Sequence, residues 1–355
     1  MTTTAIPVGP DDVTAAWLTG VLGTEVTTAT VTPVGTGQTG ATYRVVPTYA
    51  ADPEDWPETL VVKLPSQDEA VRERVALGYR SEYAFYTEVA DTLAVPLPRR
   101  YYCEIDRDGA DFVLLMGDLA PAEQADQLRG CTLAEAELAV RALAGLHGPR
   151  WCDPAWLSFT GATMPRADRD FARGMGDLAR MAADTTIGKL GDRMAARDRN
   201  TLLEAAGLIE DWLLMEPDRF CLLHGDFRAD NLLFDPARTA VTVVDWQTLT
   251  VGLPARDLAY FTATSLSPDE RADVEQNLVT VYHHALRSHG VTAYDRETCW
   301  RDYRLGVLQA PLITTFGFAF AAETERGGDM VLAMLERGCR AIRELGTLDL
   351  IRSVR

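Results

Sequence analysis

Apolar and polar positions alternate through much of the first third of the chain, a pattern typical of half-buried β-strands. Breaks that contain glycine or proline separate these segments, and one longer stretch instead repeats its apolar residues with helical spacing. The pattern therefore predicts a sheet accompanied by one long helix. Its predicted elements are a short helix at 11–23, strands at 29–34, 41–46 and 59–64, the long helix at 66–94, and strands at 99–105 and 111–119 around the turn DRDG at 106–109.

Helical periodicity dominates after residue 120, and only two short strands, on either side of Asp235-Pro236, interrupt it. The run LGVLQAPLITTFGFAFAA at 305–322 is long enough to approach a membrane span, but Gln309, Pro311 and two threonines favour a buried helix. We expect an N-terminal lobe at 1–115, a hinge at 116–120 and a C-terminal lobe at 121–355. The predicted helices of the second lobe cover 132–147, 166–184, 198–215, 267–289 and 329–346.

Charge and composition narrow the possible partners. The 355 residues carry a formal net charge of −18, which argues against nucleic acid and anionic membranes because both require a basic surface. The N-terminal residues MTTTAIPVGPDD show neither the basic start nor the apolar core of a secretory signal. Six scattered cysteines without a CxxC pair favour reduced thiols. We therefore expect a cytoplasmic protein with no nucleic-acid or membrane partner.

The segment LLHGDFRADNLLFD at 222–235 places an aspartate five residues before an asparagine, between two apolar flanks. Asn231 precedes the first strand of a predicted hairpin and Asp245 follows the second, so both are expected at the open end of that hairpin. Amide and carboxylate oxygens are hard ligands that suit Mg²⁺. Asp226 would lie nearby, where a carboxylate can accept a proton from an attacking hydroxyl. The alternative is that these residues only cap turns in a loop.

The order of these residues resembles a kinase active site. Protein kinases carry H-R-D-x-x-x-x-N followed by D-F-G, and this chain has His224-Gly225-Asp226, Asn231 and Asp245-Trp246-Gln247. HGD and DWQ resemble the aminoglycoside phosphotransferase superfamily, closest to its ecdysteroid-kinase-like and choline-kinase-like branches. The resemblance implies an α+β, bilobal, protein-kinase-like fold, ATP and Mg²⁺ as cofactors, and metal ligation by Asn231 and Asp245. It also places Arg228 where protein kinases use a lysine to neutralise the transferring phosphoryl group.

A glycine-rich segment precedes the second predicted strand. Gly35, Gly37 and Gly40 follow the order GxGxxG, which on its own is weak because a dinucleotide site or an ordinary hairpin can carry it. A dinucleotide site would open a helix after the last glycine, whereas residues 41–46 predict a strand. A strand–loop–strand arrangement suits a backbone that approaches phosphates closely.

Lysine is rare in this chain, since Lys63 and Lys189 are the only lysines among its 34 basic residues. Lys63 ends an apolar strand and shares a face with Val61, so it either extends its ammonium group to solvent at a sheet edge or pairs with an anion. Because lysine is so rare here, we expect an anion, and Lys63 would hold the α- and β-phosphates of ATP. Its expected carboxylate partner is Glu82 on the long helix. Glu88 is the weaker candidate, and for both glutamates the alternative is a solvated helix face. Because the resembled family often reads E-x-x-F-Y here, and residues 82–86 read EYAFY, the resemblance favours Glu82.

The hinge segment is expected to pair with adenine through backbone groups near Met116, Asp118 and Leu119, beneath Val61. Relatives in the resembled superfamily usually carry an acidic residue where Gly117 stands, so a side-chain contact from that position is not expected. Asp257 matches a family aspartate that braces the catalytic loop. His147 is expected to be a buried, hydrogen-bonded core residue.

Together these features predict a kinase that transfers the γ-phosphoryl group of ATP to a hydroxyl of a small metabolite, antibiotic or steroid-like alcohol, with Asp226 as catalytic base and Arg228, Lys63 and Glu82 in support. The alternative is a kinase-like protein that binds nucleotide without transferring phosphate. A hydrolase is not indicated, because neither GxSxG nor HExxH occurs. The acceptor itself cannot be chosen from the sequence.

Overall fold

The chain forms two compact units in a computed structural model that describes residues 5–34, 40–51, 56–319 and 325–353. We call them the N-terminal unit, made of Met1–Asp91, Leu97–Pro121 and Val244–Leu249, and the C-terminal unit, made of Thr92–Pro96, Ala122–Val243 and Thr250–Arg355. The predicted lobes were continuous in sequence. In the structure, residues 92–96 belong to the C-terminal unit and residues 244–249 belong to the N-terminal unit.

The N-terminal unit is built mainly from strands. Its elements are α1 (Ala15–Leu22), β1 (Val26–Pro33), β2 (Gly40–Tyr49), β3 (Leu60–Pro65), α2 (Glu69–Ala84), β4 (Arg100–Asp106) and β5 (Asp111–Gly117).

A five-stranded antiparallel sheet with the order β1-β2-β3-β5-β4 forms the centre of this unit. Successive side chains of a strand point to opposite faces. In β3, Val62 and Leu64 are fully buried in the cluster that also holds Trp17 of α1. Val61 and Lys63 therefore project from the other face of the sheet, as the sequence predicts.

The long helix predicted at 66–94 is shorter in the structure, where α2 covers Glu69–Ala84. Asp68 caps α2 by accepting hydrogen bonds from the N–H groups of Ala70 and Val71, at 2.9 and 3.2 Å. The helix then widens into a π-helical turn at Phe85–Val89, followed by a 3₁₀ turn at Ala90–Thr92. Such π turns occur frequently at functional sites.

Segment 244–249 belongs to the N-terminal unit because its Trp246 packs against Phe85 of the π turn. The ring of Phe85 stacks on the indole of Trp246 with 3.7 Å between the ring centroids and an interplanar angle of 5°. Both side chains are fully buried. A buried aromatic pair of this kind contributes roughly 0.5–1.5 kcal/mol beyond its buried area, and it fixes the residue that follows Asp245.

The C-terminal unit is mostly helical. Its elements are β6 (Glu123–Gln124), α3 (Leu133–His147), α4 (Arg169–Leu190), α5 (Ala196–Ala206), α6 (Ile209–Leu213), β7 (Cys221–Leu223), β8 (Leu232–Phe234), β9 (Val241–Val243), β10 (Thr250–Gly252), α7 (Ala255–Ser265), α8 (Pro268–Ser288), α9 (Arg296–Gly306), α10 (Gln309–Ala319), α11 (Glu325–Leu345) and α12 (Thr347–Arg352).

Two small sheets, β6-β8-β9 and β10-β7, accompany these helices. The predicted hairpin is present, because β8 pairs with β9 in an antiparallel register that places Leu232 opposite Val243. The prediction of a single helix at 198–215 is wrong: Gly207 and Leu208 separate α5 from α6, and Leu208 has a non-helical backbone. The sequence pattern also missed α7 and α9.

The segment at 92–96 joins the C-terminal unit through backbone hydrogen bonds, among them one from the N–H of Val243 to the carbonyl of Pro96 at 3.0 Å. The N–H of Ala94 donates to the carbonyl of Gly145 in α3 at 3.0 Å. A Cβ atom on Gly145 would lie 2.8 Å from the carbonyl oxygen of Ala94, closer than side chains tolerate. Glycine is therefore required where the segment crosses α3.

The predicted helix within 305–322 is present as α10, with Gln309, Pro311 and Leu312 buried. Across the described ranges, no helix combines the length and apolarity that a bilayer crossing needs. All six cysteines have free thiols. The predicted fold class is confirmed: an antiparallel sheet with one long helix precedes a larger, mostly helical part.

Candidate functional site

The loop after β7 is anchored by Asp257, in the first turn of α7. Its carboxylate accepts hydrogen bonds from the backbone N–H groups of His224 at 2.7 Å and Gly225 at 3.1 Å. Gly225 has φ +83°, a left-handed conformation that costs glycine little. Asp257 is fully buried, so these backbone donors are satisfied away from water. The bracing that the resemblance implies for Asp257 is therefore present.

His147 contacts the same carboxylate from α3. It is fully buried, its Nδ1 lies 2.7 Å from the hydroxyl of Tyr282, and its Nε2 lies 3.5 Å from Oδ2 of Asp257. The prediction of a packed, hydrogen-bonded core histidine is confirmed.

Three side chains hold the carboxylate of Asp226. The hydroxyl of Tyr260 donates to Oδ1 at 2.6 Å. Nε of Arg228 and Nδ2 of Asn231 donate to Oδ2 at 3.1 and 3.2 Å, and Nδ2 of Asn231 also donates to the backbone carbonyl of Asp226 at 2.8 Å. The carboxylate is fixed in one orientation by donors from both the loop and α7.

An ionised carboxylate has about four lone-pair positions, and three are used here. The Asp226 side chain keeps 20% of its surface exposed. One acceptor position thus remains for a hydroxyl donor, which is the capacity that a general base needs.

Arg228 lies between two carboxylates of the same loop. Its Nε donates to Asp226, and its Nη1 lies 2.7 Å from Oδ2 of Asp230. Burial would lower the pKa of Arg228, but the charge of Asp226 and contacts with Tyr260 and Asp230 raise it above its ordinary value. The guanidinium is therefore a permanent cation next to the candidate base.

Asn231 is a suitable ligand for a hard cation. It is 5% exposed, immediately precedes β8, and uses its amide nitrogen for the two hydrogen bonds to Asp226. This leaves Oδ1, the atom that ligates metals, directed away from those bonds. An amide oxygen is a hard donor of the type that Mg²⁺ prefers.

The N-terminal unit carries the second group of candidate residues around Lys63. Nζ of Lys63 lies 2.8 Å from Oε2 of Glu82 and 2.8 Å from Oδ1 of Asp245. Glu82 is 1% exposed on α2, whereas Glu88 is exposed on the following turn. Glu82 is therefore the partner of Lys63, as predicted. Glu88 lies on a solvent-exposed helix face, the alternative that was open for both glutamates.

Burial and charge oppose each other at this ion pair. Burial alone would lower the pKa of Lys63, but the carboxylates of Asp245 and Glu82 raise it well above its ordinary value. Burial also raises the pKa of Glu82, an effect that Lys63 only partly offsets. Lys63 is thus held as a cation, and the group of three side chains carries one more carboxylate than it has cations.

Asp245 has an uncommon backbone conformation, with φ +69° in the left-handed region. Aspartate tolerates this region better than most residues, but the conformation still stores strain, which proteins concentrate at functional positions. The next residue is fixed by the Phe85–Trp246 stack and by a hydrogen bond from the N–H of Trp246 to Oε1 of Glu82 at 3.3 Å.

The nucleotide-binding predictions are only partly within the described residues. Gly35 and Gly37 lie outside them, and Gly40 is the first residue of β2. Val61 pairs directly with Met116 across β3 and β5.

Asp118 and Leu119 follow β5. The carboxylate of Asp118 lies 2.5 Å from Nε of Arg44 and also accepts the N–H of Ala120 at 2.9 Å. This side chain is therefore occupied by the protein, and Leu119 is half-buried. A Cβ at Gly117 would have its nearest neighbours at 3.9 Å, so packing does not demand glycine there.

The structure thus collects the predicted residues in two groups, Lys63 with Glu82 and Asp245 in one unit, and Asp226 with Arg228 and Asn231 in the other. The sequence analysis missed Tyr260, which lies three residues after Asp257. That spacing places both on one helix face, so the signal was available. It also missed Gln309, whose Nε2 donates to the carbonyl of Gly225 at 3.2 Å. Gln309 and Gly225 are 84 positions apart in the sequence, so no local pattern could reveal this contact.

A protein-family model described as "Phosphotransferase enzyme family" matches residues 30–297. Among curated proteins, Acyl-CoA dehydrogenase family member 11 of Gallus gallus is 29% identical over 172 residues, which are 47% of this chain and 20% of that protein. The Homo sapiens protein of the same name is 43% identical over 58 residues, 15% of this chain and 7% of that protein. The chain thus spans a fifth or less of the length of these relatives.

Two solved structures show a similar fold at low sequence identity. The GDP complex of wild-type aminoglycoside 2'-phosphotransferase-IIIa has a TM-score of 0.51 and 15% identity, over 87% of this chain and 92% of that chain. Choline kinase LicA from Streptococcus pneumoniae has a TM-score of 0.51 and 14% identity, over 93% of this chain and 96% of that chain. At these identities the similarity establishes the kinase-like fold alone.

Proposed function

The chain belongs to the phosphotransferase enzyme family, and from this membership and the geometry of its loop we propose that it transfers the γ-phosphoryl group of ATP to a hydroxyl group of a small molecule. The observation that carries the proposal is the Asp226 carboxylate, fixed by Tyr260, Arg228 and Asn231 with one acceptor position left. A loop that served only as a turn would have no need to orient a carboxylate through a tyrosine on a distant helix.

In the proposed reaction, Asp226 accepts the hydrogen bond of the acceptor hydroxyl and takes its proton as the oxygen attacks the γ-phosphorus. The bond between that phosphorus and the β,γ-bridging oxygen breaks, and ADP leaves. Arg228, a permanent cation beside the base, offsets negative charge that develops on the transferring group.

Lys63 binds the phosphate oxygens of the nucleotide, and buried Glu82 orients its ammonium group. Asn231 and Asp245 supply oxygen ligands for Mg²⁺, which when bound neutralises charge on the β- and γ-phosphates. Val61 and Met116, paired across β3 and β5, form an apolar surface that suits the adenine ring.

The test is a screen by mass spectrometry for the mass gain of one phosphoryl group across alcohols, sugars, amino alcohols and aminoglycosides, with Mg·ATP as donor. Asp226→Asn keeps the size of the side chain and removes the base, so we expect kcat to fall by about 10²- to 10⁴-fold while nucleotide binding is kept. Asp230→Asn is the matched control, because Asp230 binds the same arginine but has no proposed proton transfer.

Equal turnover by Asp226→Asn and the wild type would remove Asp226 from the mechanism. If the wild type bound Mg·ATP but phosphorylated no compound in the screen, the result would favour the alternative of a nucleotide-binding protein without phosphotransfer.

A further inference from the structure

A cavity of about 90 Å³ lies in the C-terminal unit beside the first turn of α7. This volume exceeds several-fold the roughly 10–15 Å³ of probe-occupied space that a single water requires. Apolar side chains and three arginines, Arg166, Arg219 and Arg256, line it. Glu216 is the one carboxylate-bearing residue among the described residues of the lining. A cavity with this composition has a cationic wall.

Arg256 is the buried cation of this wall. The residue is 8% exposed, and its guanidinium lies 4.0 Å from the centre of the Trp212 ring. Its Nη2 donates to the carbonyls of Trp212 and Leu213, at 3.2 and 3.5 Å. Its Nε is buried without an acceptor, and no carboxylate of the described ranges forms an ion pair with it. Burial lowers the pKa of Arg256 to about 10.

The other charges of the wall do not compensate Arg256. Arg219 forms a two-bond pair with Asp302, both bonds at 2.7 Å, and also contacts Glu216. Glu216 in turn pairs with Arg301. These two arginines and two carboxylates are balanced among themselves.

Arg166 adds a second cation without a carboxylate partner among the residues that the structure describes. It is exposed, and its Nη1 donates to the carbonyl of Pro217 at 3.2 Å. Two uncompensated cations on one cavity are unexpected in a chain whose formal net charge is −18. A buried cation without a counter-ion is costly, and an anion with several acceptor atoms would relieve that cost.

We propose that this cavity binds a small oxyanion, either a carboxylate or a tetrahedral ion of the phosphate or sulfate type, with Arg256 as its main ligand and Arg166 as the second cation. The structural alternative is that Arg256 only caps the carbonyl end of α6. That role uses Nη2 and the stacking on Trp212, but it supplies no negative charge to the buried guanidinium. The inference does not depend on the proposed phosphotransfer, because neither Arg256 nor Arg166 has a role in it; the two sites share Gln309, which lines this cavity and donates to the carbonyl of Gly225.

Equilibrium dialysis of the full chain with radiolabelled orthophosphate, at constant ionic strength set by chloride, tests the proposal. Unlabelled sulfate and acetate are added as competitors, so that displacement by one or the other separates tetrahedral ions from carboxylates. We expect saturable binding of one phosphate per chain, weakened at least about tenfold in Arg256→Gln, a change equivalent to about 1.4 kcal/mol.

Two control variants make the test specific. Arg129→Gln removes an exposed arginine elsewhere in the same unit and should bind phosphate like the wild type. Lys63→Met should also bind like the wild type, which distinguishes this cavity from a nucleotide phosphate site.

If Arg256→Gln does not fold, as judged by circular dichroism, Arg166→Gln replaces it, with an expected loss of about threefold because its side chain is exposed. Absence of saturable binding by the wild type would overturn the proposal. So would unchanged affinity in Arg256→Gln or, where that variant does not fold, in Arg166→Gln, and so would a loss of binding in Lys63→Met equal to that in Arg256→Gln.

Discussion

Tyr260→Phe is the substitution that tests the geometry of the proposed base most directly. Tyr260 is 1% exposed in α7, and its hydroxyl donates to Oδ1 of Asp226 at 2.6 Å. Phenylalanine keeps the ring and removes only the donor. Asp226 retains its hydrogen bonds from Arg228 and Asn231, so the carboxylate stays in the loop but loses the donor that orients it from α7.

The expected size of the effect follows from that single contact. A hydrogen bond to a charged group contributes about 1.5–3 kcal/mol. The remaining donors can compensate in part, so the lower end applies. We expect kcat/KM at a fixed pH to fall by about tenfold, since about 1.4 kcal/mol corresponds to a factor of ten and the base is held less firmly in the orientation that accepts the hydroxyl proton.

The assay is kcat/KM at one fixed pH with an acceptor found by the mass-spectrometric screen. Tyr303→Phe is the matched control, since Tyr303 is fully buried and donates to a different carboxylate, Oε2 of Glu275, at 2.9 Å. Both variants are expected to unfold at lower denaturant concentration, but only Tyr260→Phe should lower kcat/KM. An unchanged kcat/KM in Tyr260→Phe, or an equal loss in both variants, would refute the assignment of Asp226 as a base oriented by Tyr260.

Three further predictions concern the N-terminal unit. Glu82→Gln should weaken nucleotide binding about tenfold in a fluorescence titration because Lys63 loses its buried partner, and Glu88→Gln, which changes an exposed side chain, should leave binding unchanged. Asp245→Asn should raise the Mg²⁺ concentration needed for half-maximal nucleotide binding; an unchanged Mg²⁺ titration would contradict the ligand assignment. Burial opposes ionisation of Asp118, but hydrogen bonds from Arg44 and nearby groups lower its pKa below the ordinary value. Its carboxylate therefore stabilises the fold above about pH 4, and this stabilisation is lost as the pH falls further, so that urea denaturation of Asp118→Asn and wild type should differ at pH 7 and converge in acid.

Local sequence patterns predicted the parts of this molecule that depend on neighbouring residues. The alternation of apolar and polar residues around Lys63 predicted the sheet face on which its side chain lies, because side-chain direction in a strand alternates with period two. The spacing of Asp226 and Asn231 predicted that their side chains lie close together, because the loop that joins them is short. The i,i+3 relation between Asp257 and Tyr260 was of the same kind and could have been used.

Other features could not be found this way, because they depend on packing across long separations in the chain. Trp246 was expected to follow a metal ligand, but nothing in the sequence pairs it with Phe85 in a π turn. Nothing in the sequence singled out Arg256. The structure shows that its guanidinium is enclosed without a carboxylate partner among the described residues, and burial of a charge depends on every element around it.

Glu82 and Asp245 both pair with Lys63, and the burial of each carboxylate indicates which ion pair is the more permanent. Both lie 2.8 Å from Nζ, but the side chain of Glu82 is 1% exposed and that of Asp245 is 40% exposed. Separating Lys63 from Glu82 would leave a charge uncompensated in the interior, at a cost of about 3–5 kcal/mol. Separating it from Asp245 allows water or a cation to solvate the released carboxylate, so the cost is far smaller. Glu82 is thus the fixed partner that orients Lys63, and Asp245 is the partner whose carboxylate separates from the ammonium group at low cost, as the proposed role in metal binding would require.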